Sequence, residues 1–240
     1  MLINTFNTNL LSLSFLITLV CSSVDAFAPT LKNARTSTST SSASLHMFGK
    51  MFEEEGPLGK GITVGKFQVG FSCLDRSLIE ILEKESNSYG SEPEELSKLC
   101  NSVCLTMLRR QEDWISAGSE SQWFSQKDSG KAERLYNDYT TQEAAKFEKE
   151  YVPSKESEKG GPTNVVVSVV VEIQGDETNF EGAGFSRTKT KEVLTSIASD
   201  CMIDDGYCLN AVEIFWTPGD REEVLTKDDI ILDFPTLIDL

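Results

Sequence analysis

The sequence predicts an α+β protein: an N-terminal helical part of about four helices, followed by a strand-helix-strand-helix unit with a small parallel sheet. Apolar residues recur every three or four positions in much of 63–151, which is the spacing along one side of a helix. Residues 164–240 instead begin with a valine-rich alternating run, which is typical of a strand. Between them, residues 152–163 contain two prolines and a Gly-Gly pair and are predicted to be a linker.

Residues 1–26 have the pattern of a secretory signal peptide. The apolar run at 10–20 is too short to span a bilayer stably. Small residues, Val24 and Ala26, stand where signal peptidase requires them, so cleavage is predicted between Ala26 and Phe27.

Residues 27–46 are rich in Ser and Thr, contain two basic residues and lack acids, which is the composition of a disordered transit peptide. A signal peptide followed directly by a transit peptide, with Phe27 at the junction, resembles the bipartite presequence of diatoms and related algae. This resemblance implies import into the plastid stroma. The alternative is a secreted protein with a Ser/Thr-rich stalk.

Helical spacing predicts two long helices early in the remaining chain. After a flexible segment at 47–62, apolar positions predict a first helix over about 64–85. Pro93 near the start and two arginines at the end predict a second helix within 91–110.

The next part of the chain is more polar. Residues 114–124 are predicted to be a loop held by its two tryptophans, and residues 126–136 a third helix. The spacing of Thr140 and Glu143 predicts a capping box for a fourth helix, which ends near Tyr151.

The C-terminal unit is predicted from two strands and two helices. Alternation predicts strands at 164–175 and 209–217, with a helix at 188–199 between them. A short helix follows Thr226, with Asp229 three residues on as its capping partner, and stops before Pro235. A strand-helix-strand order with a long connection implies a right-handed parallel crossover. Two strands leave open edges, so a homo-oligomer formed through a sheet edge is one way to complete the sheet.

Charge and composition exclude several classes of function. The net charge is −16, and without residues 1–46 the chain has 20 basic and 37 acidic side chains, a net charge of −17. Such a surface repels nucleic acids, so DNA or RNA binding is excluded. The single histidine, His46, lies in the predicted leader, which excludes His-dependent catalytic triads and His-ligated metals in the domain. We therefore predict no catalytic residues, no metal and no cofactor.

Several segments occur in the order found in a known family. They are Gly65–Gly70 (GKFQVG), Leu105–Arg110, the valine strand, Ala211–Pro218 and Leu225–Leu237. Together, over about 63–240, they resemble the uncharacterised domain of the fluctuating-light acclimation protein family of chloroplasts and cyanobacteria.

The resemblance implies a plastid protein, without known catalytic residues, that affects photoprotective regulation. It leads us to expect a non-enzymatic regulatory or assembly factor with plastid or thylakoid protein partners. Plant members carry membrane-spanning segments before this domain, whereas residues 47–62 here are short and acidic. We therefore expect a stromal protein that is at most peripheral on the thylakoid membrane.

Two alternatives assign chemistry to charged residues. Glu172 and Glu213 stand on the less apolar sides of their predicted strands, so a close pair of carboxylates could serve a hydrolase or a metal-dependent enzyme. Arg187, Lys189 and Lys191 open a predicted helix, where amide dipoles attract anions, and could contact an anion or an acidic partner. The plain alternatives are solvent-exposed carboxylates and a solvated basic turn.

Cys201 and Cys208 are a candidate redox pair. Six residues separate them, and a turn of that length can bring two Cα atoms to the distance that a disulfide needs. The neighbouring acids disfavour thiolate formation, so two unpaired thiols are the alternative.

Overall fold

The computed structural model describes residues 55–148, 161–219 and 222–240. Its strands are β1 (Glu55–Gly56), β2 (Gly59–Lys60), β3 (Ile62–Cys73), β4 (Trp114–Phe124), β5 (Thr163–Gln174), β6 (Leu209–Thr217) and β7 (Ile238–Asp239). Its α-helices are α1 (Ser77–Ser86), α2 (Pro93–Arg109), α3 (Ser129–Ala144), α4 (Arg187–Asp200) and α5 (Lys227–Asp233). One sheet has the order β6-β5-β3-β4-β7, and every neighbouring pair in it is antiparallel.

The predicted helical first part is wrong, because its first helix contains the central strand of the sheet. Residues 62–73 form β3, which pairs with β4 on one side and β5 on the other. Phe67 and Phe71 fit a helical spacing, but Phe67, Val69 and Phe71 also fit the period of two in a strand. Pairing on both sides of β3 favours the second pattern.

The predicted loop is also wrong, and the third and fourth predicted helices form one continuous helix. Residues 114–124 form β4, whose polar side chains are tolerated because this strand lies near the edge of the sheet. Residues 129–144 form the single helix α3, and Thr140 lies inside it rather than at its N-cap. The predicted end of the fourth helix and most of the predicted linker lie outside the described residues.

The predicted parallel crossover is wrong because the connection between β5 and β6 travels the length of the sheet twice. From Gly175, at the end of β5, the chain runs alongside β4 as far as Gly184, which lies against the backbone carbonyl of Ala117. Helix α4 then runs back toward the end of β5. There the backbone N–H of Gln174 donates to the backbone carbonyl of Cys208 at 2.8 Å. Strand β6 therefore begins where β5 ends and runs in the opposite direction.

Five predicted elements are confirmed with small changes in their bounds: α2, β5, α4, β6 and α5. Helix α5 begins with a capping box of Thr226 and Asp229, as the spacing of these two residues predicts. Each of these elements carries a local signal strong enough to survive its tertiary context.

The two faces of the sheet differ in chemistry. The apolar face is covered by α1, α2 and α4, and its core includes Phe67, Val69, Phe71, Val165, Val167, Val169 and Val212. The mixed face has two apolar zones, one packed on α3 and the other on α5. Buried polar side chains lie between these zones.

Candidate functional site

A cluster of buried polar side chains crosses the middle of the mixed face. Its members, called here the polar cluster, are Lys66, Gln68, Glu143, Lys146 and Ser168. Strand β3 supplies Lys66 and Gln68, which point to the same face because they are two residues apart. Strand β5 supplies Ser168, which pairs in register with Gln68. Glu143 comes from the last turn of α3, and Lys146 from the short 3-10 segment after it.

Glu143 is the centre of the polar cluster. Its Oε2 accepts hydrogen bonds from Gln68 Nε2 at 3.1 Å and from Ser168 Oγ at 2.9 Å. Its Oε1 accepts from Lys146 Nζ at 2.7 Å and lies 3.8 Å from Lys66 Nζ. Both carboxylate oxygens are therefore used by protein donors, as a buried charge requires.

Lys66 is a nearly buried cation on the central strand. Its side chain is 7% exposed and that of Glu143 only 2%. Glu120 on β4 lies 3.8 Å from Lys66 Nζ, and the ring of Tyr139 lies 4.9 Å from it. Two carboxylates and an aromatic face thus replace the water that this ammonium loses.

The polar cluster also holds the α5 end of the molecule. Thr236 Oγ1 donates to Gln68 Oε1 at 3.0 Å, and Lys146 Nζ lies 4.0 Å from the ring centre of Phe234. The position of α5 on the sheet is therefore coupled to the position of α3 through side chains of a single network.

Burial lowers the pKa of Lys146, and the carboxylate of Glu143 opposes that shift. A lysine with a lowered pKa can serve as a nucleophile or a base when a substrate reaches it. Here the ammonium is bonded to Glu143 and packed on Phe234, so its geometry favours a structural role.

No member of the polar cluster is among the candidate site residues that the sequence predicts. A signal was present, since Lys66 and Gln68 are two residues apart in a run that alternates with Phe67 and Val69. With a strand period, both polar side chains would have been placed on one face of the sheet. A helical period instead places these two side chains on different sides of a helix. No local sequence pattern connects them to Glu143, which is 75 residues from Gln68 in the chain.

Glu172 and Glu213 lie on the mixed face, on neighbouring antiparallel strands. Glu172 pairs in register with Ala211 and Glu213 with Val170, so the two carboxylates are diagonal neighbours rather than directly opposite. Glu213 is buried rather than exposed to solvent as the plain alternative expected.

The charges of Glu172 and Glu213 affect the pKa of a tyrosine on helix α3, which packs on this face. Burial raises the pKa of Tyr136 on α3, and the charges of Glu213 and Glu172 raise it further. Burial also raises the pKa of Glu172, while a hydrogen bond from Asn210 Nδ2 at 3.0 Å opposes the shift. Within the described ranges, no group of three or more His, Cys, Asp or Glu is arranged to hold a metal ion.

The basic residues at the start of α4 have separate surroundings. The guanidinium of Arg187 donates to the carbonyls of Gln111 at 2.5 Å and Trp114 at 2.8 Å, which fixes the start of β4. Lys189 pairs with Glu192 at 2.6 Å, whereas Lys191 is an exposed residue of α4. A contact of these residues with an anion or an acidic partner stays a prediction.

The candidate redox pair lies in two different clusters. Cys201 packs in the main core, where a hydrogen bond with Cys100 is the largest cause of its raised pKa, whereas Cys208 packs with Leu58 and Ile173. All five described cysteines are buried free thiols. Burial also raises the pKa of Cys208, which disfavours thiolate chemistry. A light-linked disulfide between Cys201 and Cys208 stays a prediction.

The targeting predictions fall on residues that the structure does not describe. Ala26 and Phe27 lie outside the described ranges, as does the rest of the predicted leader. Among the described helices, none has the combination of length and apolar character that crossing a membrane requires.

Comparison with known proteins supports the resemblance found in the sequence. Over 185 residues, 73% of its length, the chain is 26% identical to "FLUCTUATING-LIGHT-ACCLIMATION protein 1, chloroplastic" of Arabidopsis thaliana. The matching region spans 46% of that relative. No solved structure matches the chain at a significant level.

The family model "Protein of unknown function (DUF1517)" matches residues 61–240, which include every strand of the five-stranded sheet and both sides of the polar cluster. The suspected family is confirmed by this match and by the chloroplast relative. The chain therefore belongs to the DUF1517 family of proteins of unknown function.

Proposed function

We propose that this chain is a plastid protein that helps photosynthesis acclimate to changing light, through photoprotective regulation. It acts as a non-enzymatic regulatory or assembly factor, bound to protein partners of the plastid or the thylakoid. Its place is the stroma or the stromal surface of the thylakoid membrane, where its attachment is peripheral.

The printed name of the Arabidopsis relative supports the plastid and light-acclimation parts of this proposal. The predicted bipartite leader, with Phe27 after its cleavage site, independently favours the plastid. The acidic composition favours partners with basic surfaces over nucleic acid or anionic lipid.

The observation that carries the non-enzymatic part is the state of the polar cluster. Its charged groups are saturated by one another, and Lys66 and Glu143 are almost closed to solvent. A catalytic base or nucleophile must reach a reacting atom at hydrogen-bond distance. The geometry of the polar cluster instead suits a scaffold that holds α3 and α5 in fixed positions for binding.

Disruption of the gene in the organism that encodes the chain tests the proposal. We expect wild-type growth in constant light and altered non-photochemical quenching of chlorophyll fluorescence when light intensity alternates. Reintroducing the full chain should restore the quenching. Normal quenching in the disrupted strain under both regimes would contradict the proposal.

The enzymatic alternative is tested in the same strain with the double variant Glu172→Gln and Glu213→Gln. If the protein acts by binding, this variant should restore quenching, because both side chains lie beneath α3. A folded double variant that fails to restore it would favour carboxylate chemistry instead.

Location is tested separately with a fluorescent fusion of residues 1–60. We expect the fusion to accumulate in plastids, and replacement of Phe27 by Ala to reduce its import. Fluorescence confined to the secretory pathway would contradict plastid targeting.

A further inference from the structure

A pocket of about 100 Å³ opens between β4, α5 and β7 on the mixed face. Its walls are mainly apolar, and its lining residues are Ile115, Ser116, Lys227, Ile230, Ile231, Phe234, Pro235, Leu237 and Asp239. Lys227 and Asp239, whose side chains are largely exposed, form an ion pair of 3.1 Å beside it. The pocket lies beyond the polar cluster and belongs to the apolar zone packed on α5.

Ser116 gives this pocket an unmet polar group. The residue is 3% exposed, and its Oγ is buried with no hydrogen-bond partner in the part of the chain that the structure describes. A buried hydroxyl without a partner costs on the order of 1–3 kcal/mol. A ligand that brings one hydrogen-bonding atom into the pocket would recover that cost.

The volume limits what can enter. An engineered cavity of about 150 Å³ holds benzene, which has six heavy atoms. A pocket of about 100 Å³ therefore accepts about four heavy atoms, which suits the side chain of Thr or Asn. Each of these side chains ends in a group that can bond with Ser116 Oγ.

The surface beside the pocket is apolar and exposed. Ile231 and Leu232 on α5 are 60% and 73% exposed, and Ile231 also lines the pocket. Large apolar side chains grouped beside a pocket are typical of protein interaction sites.

The charge of this region selects the partner. Residues 222–240 contain six acids, Glu222, Glu223, Asp228, Asp229, Asp233 and Asp239, against a single base, Lys227. A basic segment would be attracted to it, whereas a second copy of this acidic chain would be repelled.

We propose that the pocket between β4, α5 and β7 binds a basic segment of a partner protein, which inserts one Thr or Asn side chain toward Ser116. This inference rests on the proposed function, because it identifies the surface through which the chain meets its partners. The apolar side chains of Ile231 and Leu232 pack against the segment, and the acids around them attract its Lys and Arg residues.

The first experiment selects binders from a displayed library of random twelve-residue peptides on the immobilised full chain. We expect enriched peptides to combine several Lys or Arg residues with one Thr or Asn. Fluorescence anisotropy then measures their affinity for three variants. Ile231→Asp should weaken binding by at least about tenfold because it places a charge in the apolar contact. Ser116→Ala should weaken it by about fivefold, the value of one hydrogen bond.

Tyr207→Asp is the matched control. Tyr207 is an exposed aromatic residue in the turn before β6, outside the pocket lining, so its replacement should leave affinity unchanged. Urea unfolding of each variant establishes that Ile231→Asp and Ser116→Ala still fold. Enrichment of no peptide, enrichment of acidic peptides, or equal binding by Ile231→Asp would overturn the inference. Self-association of the chain that Ile231→Asp abolishes would assign the surface to a second copy and would also overturn it.

The second experiment separates this inference from the proposed function. The Ile231→Asp variant is expressed in the disrupted strain, where we expect it to fail to restore quenching. If the wild-type chain and Ile231→Asp restore quenching equally, the proposed function stands and the pocket is not the partner site. If disruption has no effect on quenching, the proposed function fails, and the peptide measurements alone decide the inference.

Discussion

The two faces of the central sheet are held to their helices by different forces. On the apolar face, α1, α2 and α4 pack through buried aliphatic, aromatic and thiol side chains. On the mixed face, α3 and α5 pack through smaller apolar zones that are separated by the polar cluster. The apolar face is therefore held to its helices by buried apolar surface and close packing. The mixed face also depends on hydrogen bonds and ion pairs between specific side chains.

This difference bears on what each face can tolerate. Hydrophobic contacts are non-directional, so a core accepts changes of shape that conserve its volume. A buried ion pair is weakly stabilising in itself, but removal of one partner leaves the other charge buried alone. The apolar face should therefore be sensitive to volume, and the mixed face to charge.

The largest effect is expected from Glu143→Gln, which conserves shape and removes the central charge of the polar cluster. We expect the free energy of unfolding to fall by about 3–5 kcal/mol, because Lys146, at 2.7 Å, and the buried Lys66, at 3.8 Å, both lose the carboxylate that they share. Urea denaturation measures this. Adding Lys66→Met to Glu143→Gln should recover part of the loss, since it removes that cation. A loss below about 1 kcal/mol would show that the charges do not hold this face.

On the apolar face, Leu194→Ala should lower the free energy of unfolding by about 2–5 kcal/mol, because Leu194 is fully buried on α4 and its truncation leaves a cavity. Met107→Leu at a fully buried site on α2 conserves volume and should cost less than about 1.5 kcal/mol. The same denaturation measurement compares them. Equal losses for the two variants would contradict sensitivity to volume.

The link between α5 and the polar cluster is tested by Thr236→Val. Loss of the hydrogen bond to Gln68 Oε1 should reduce stability by about 1 kcal/mol. The variant should also increase the rate of backbone hydrogen exchange more in α5 than in α2, because only α5 is held through this contact. Uniformly faster exchange in both helices would point to global rather than local weakening.

The smallest effect is a dependence of stability on pH at Glu172. Burial raises the pKa of this group in the folded protein above its ordinary value of 4.5, so its ionisation disfavours folding. The cost is absent below pH 4.5 and appears as pH rises through the folded-state pKa. Glu172→Gln should therefore be more stable than wild type at pH 7 and no different below pH 4.5.

Glu94→Gln on α2 is the control of opposite sign. A hydrogen bond from Lys98 lowers the pKa of Glu94, so its ionisation favours folding, and this contribution is lost as pH falls below 4.5. The variant should be slightly less stable than wild type at pH 7, with the difference vanishing in acid. The same sign for both variants would contradict the assigned causes of the two pKa shifts.

Local patterns in the sequence by themselves determined five elements of the domain and the family. They also predict a plastid-targeting leader, which lies outside the described residues. The valine run of β5 and the long apolar period of α2 are strong enough to specify their elements without neighbours. The family could be recognised because its segments, such as Gly65–Gly70, keep their order along the chain. The same segment nevertheless fits a helical spacing, although it forms part of β3.

Only the tertiary structure decided β3, β4 and the antiparallel order of the sheet. A strand is stabilised by partners far away in the chain, so its local pattern need not exclude a helix. Phe67 and Phe71 satisfy both periods, and the pairing of β3 with β4 and β5 selects one of them.

The polar cluster was decided in the same way. Gln68 and Glu143 are 75 residues apart in the chain and meet only because α3 packs across β3. The pocket beside Ser116 likewise needs β4, α5 and β7 together. Local periodicity determines which side chains share a face, whereas long-range pairing and packing determine which faces meet.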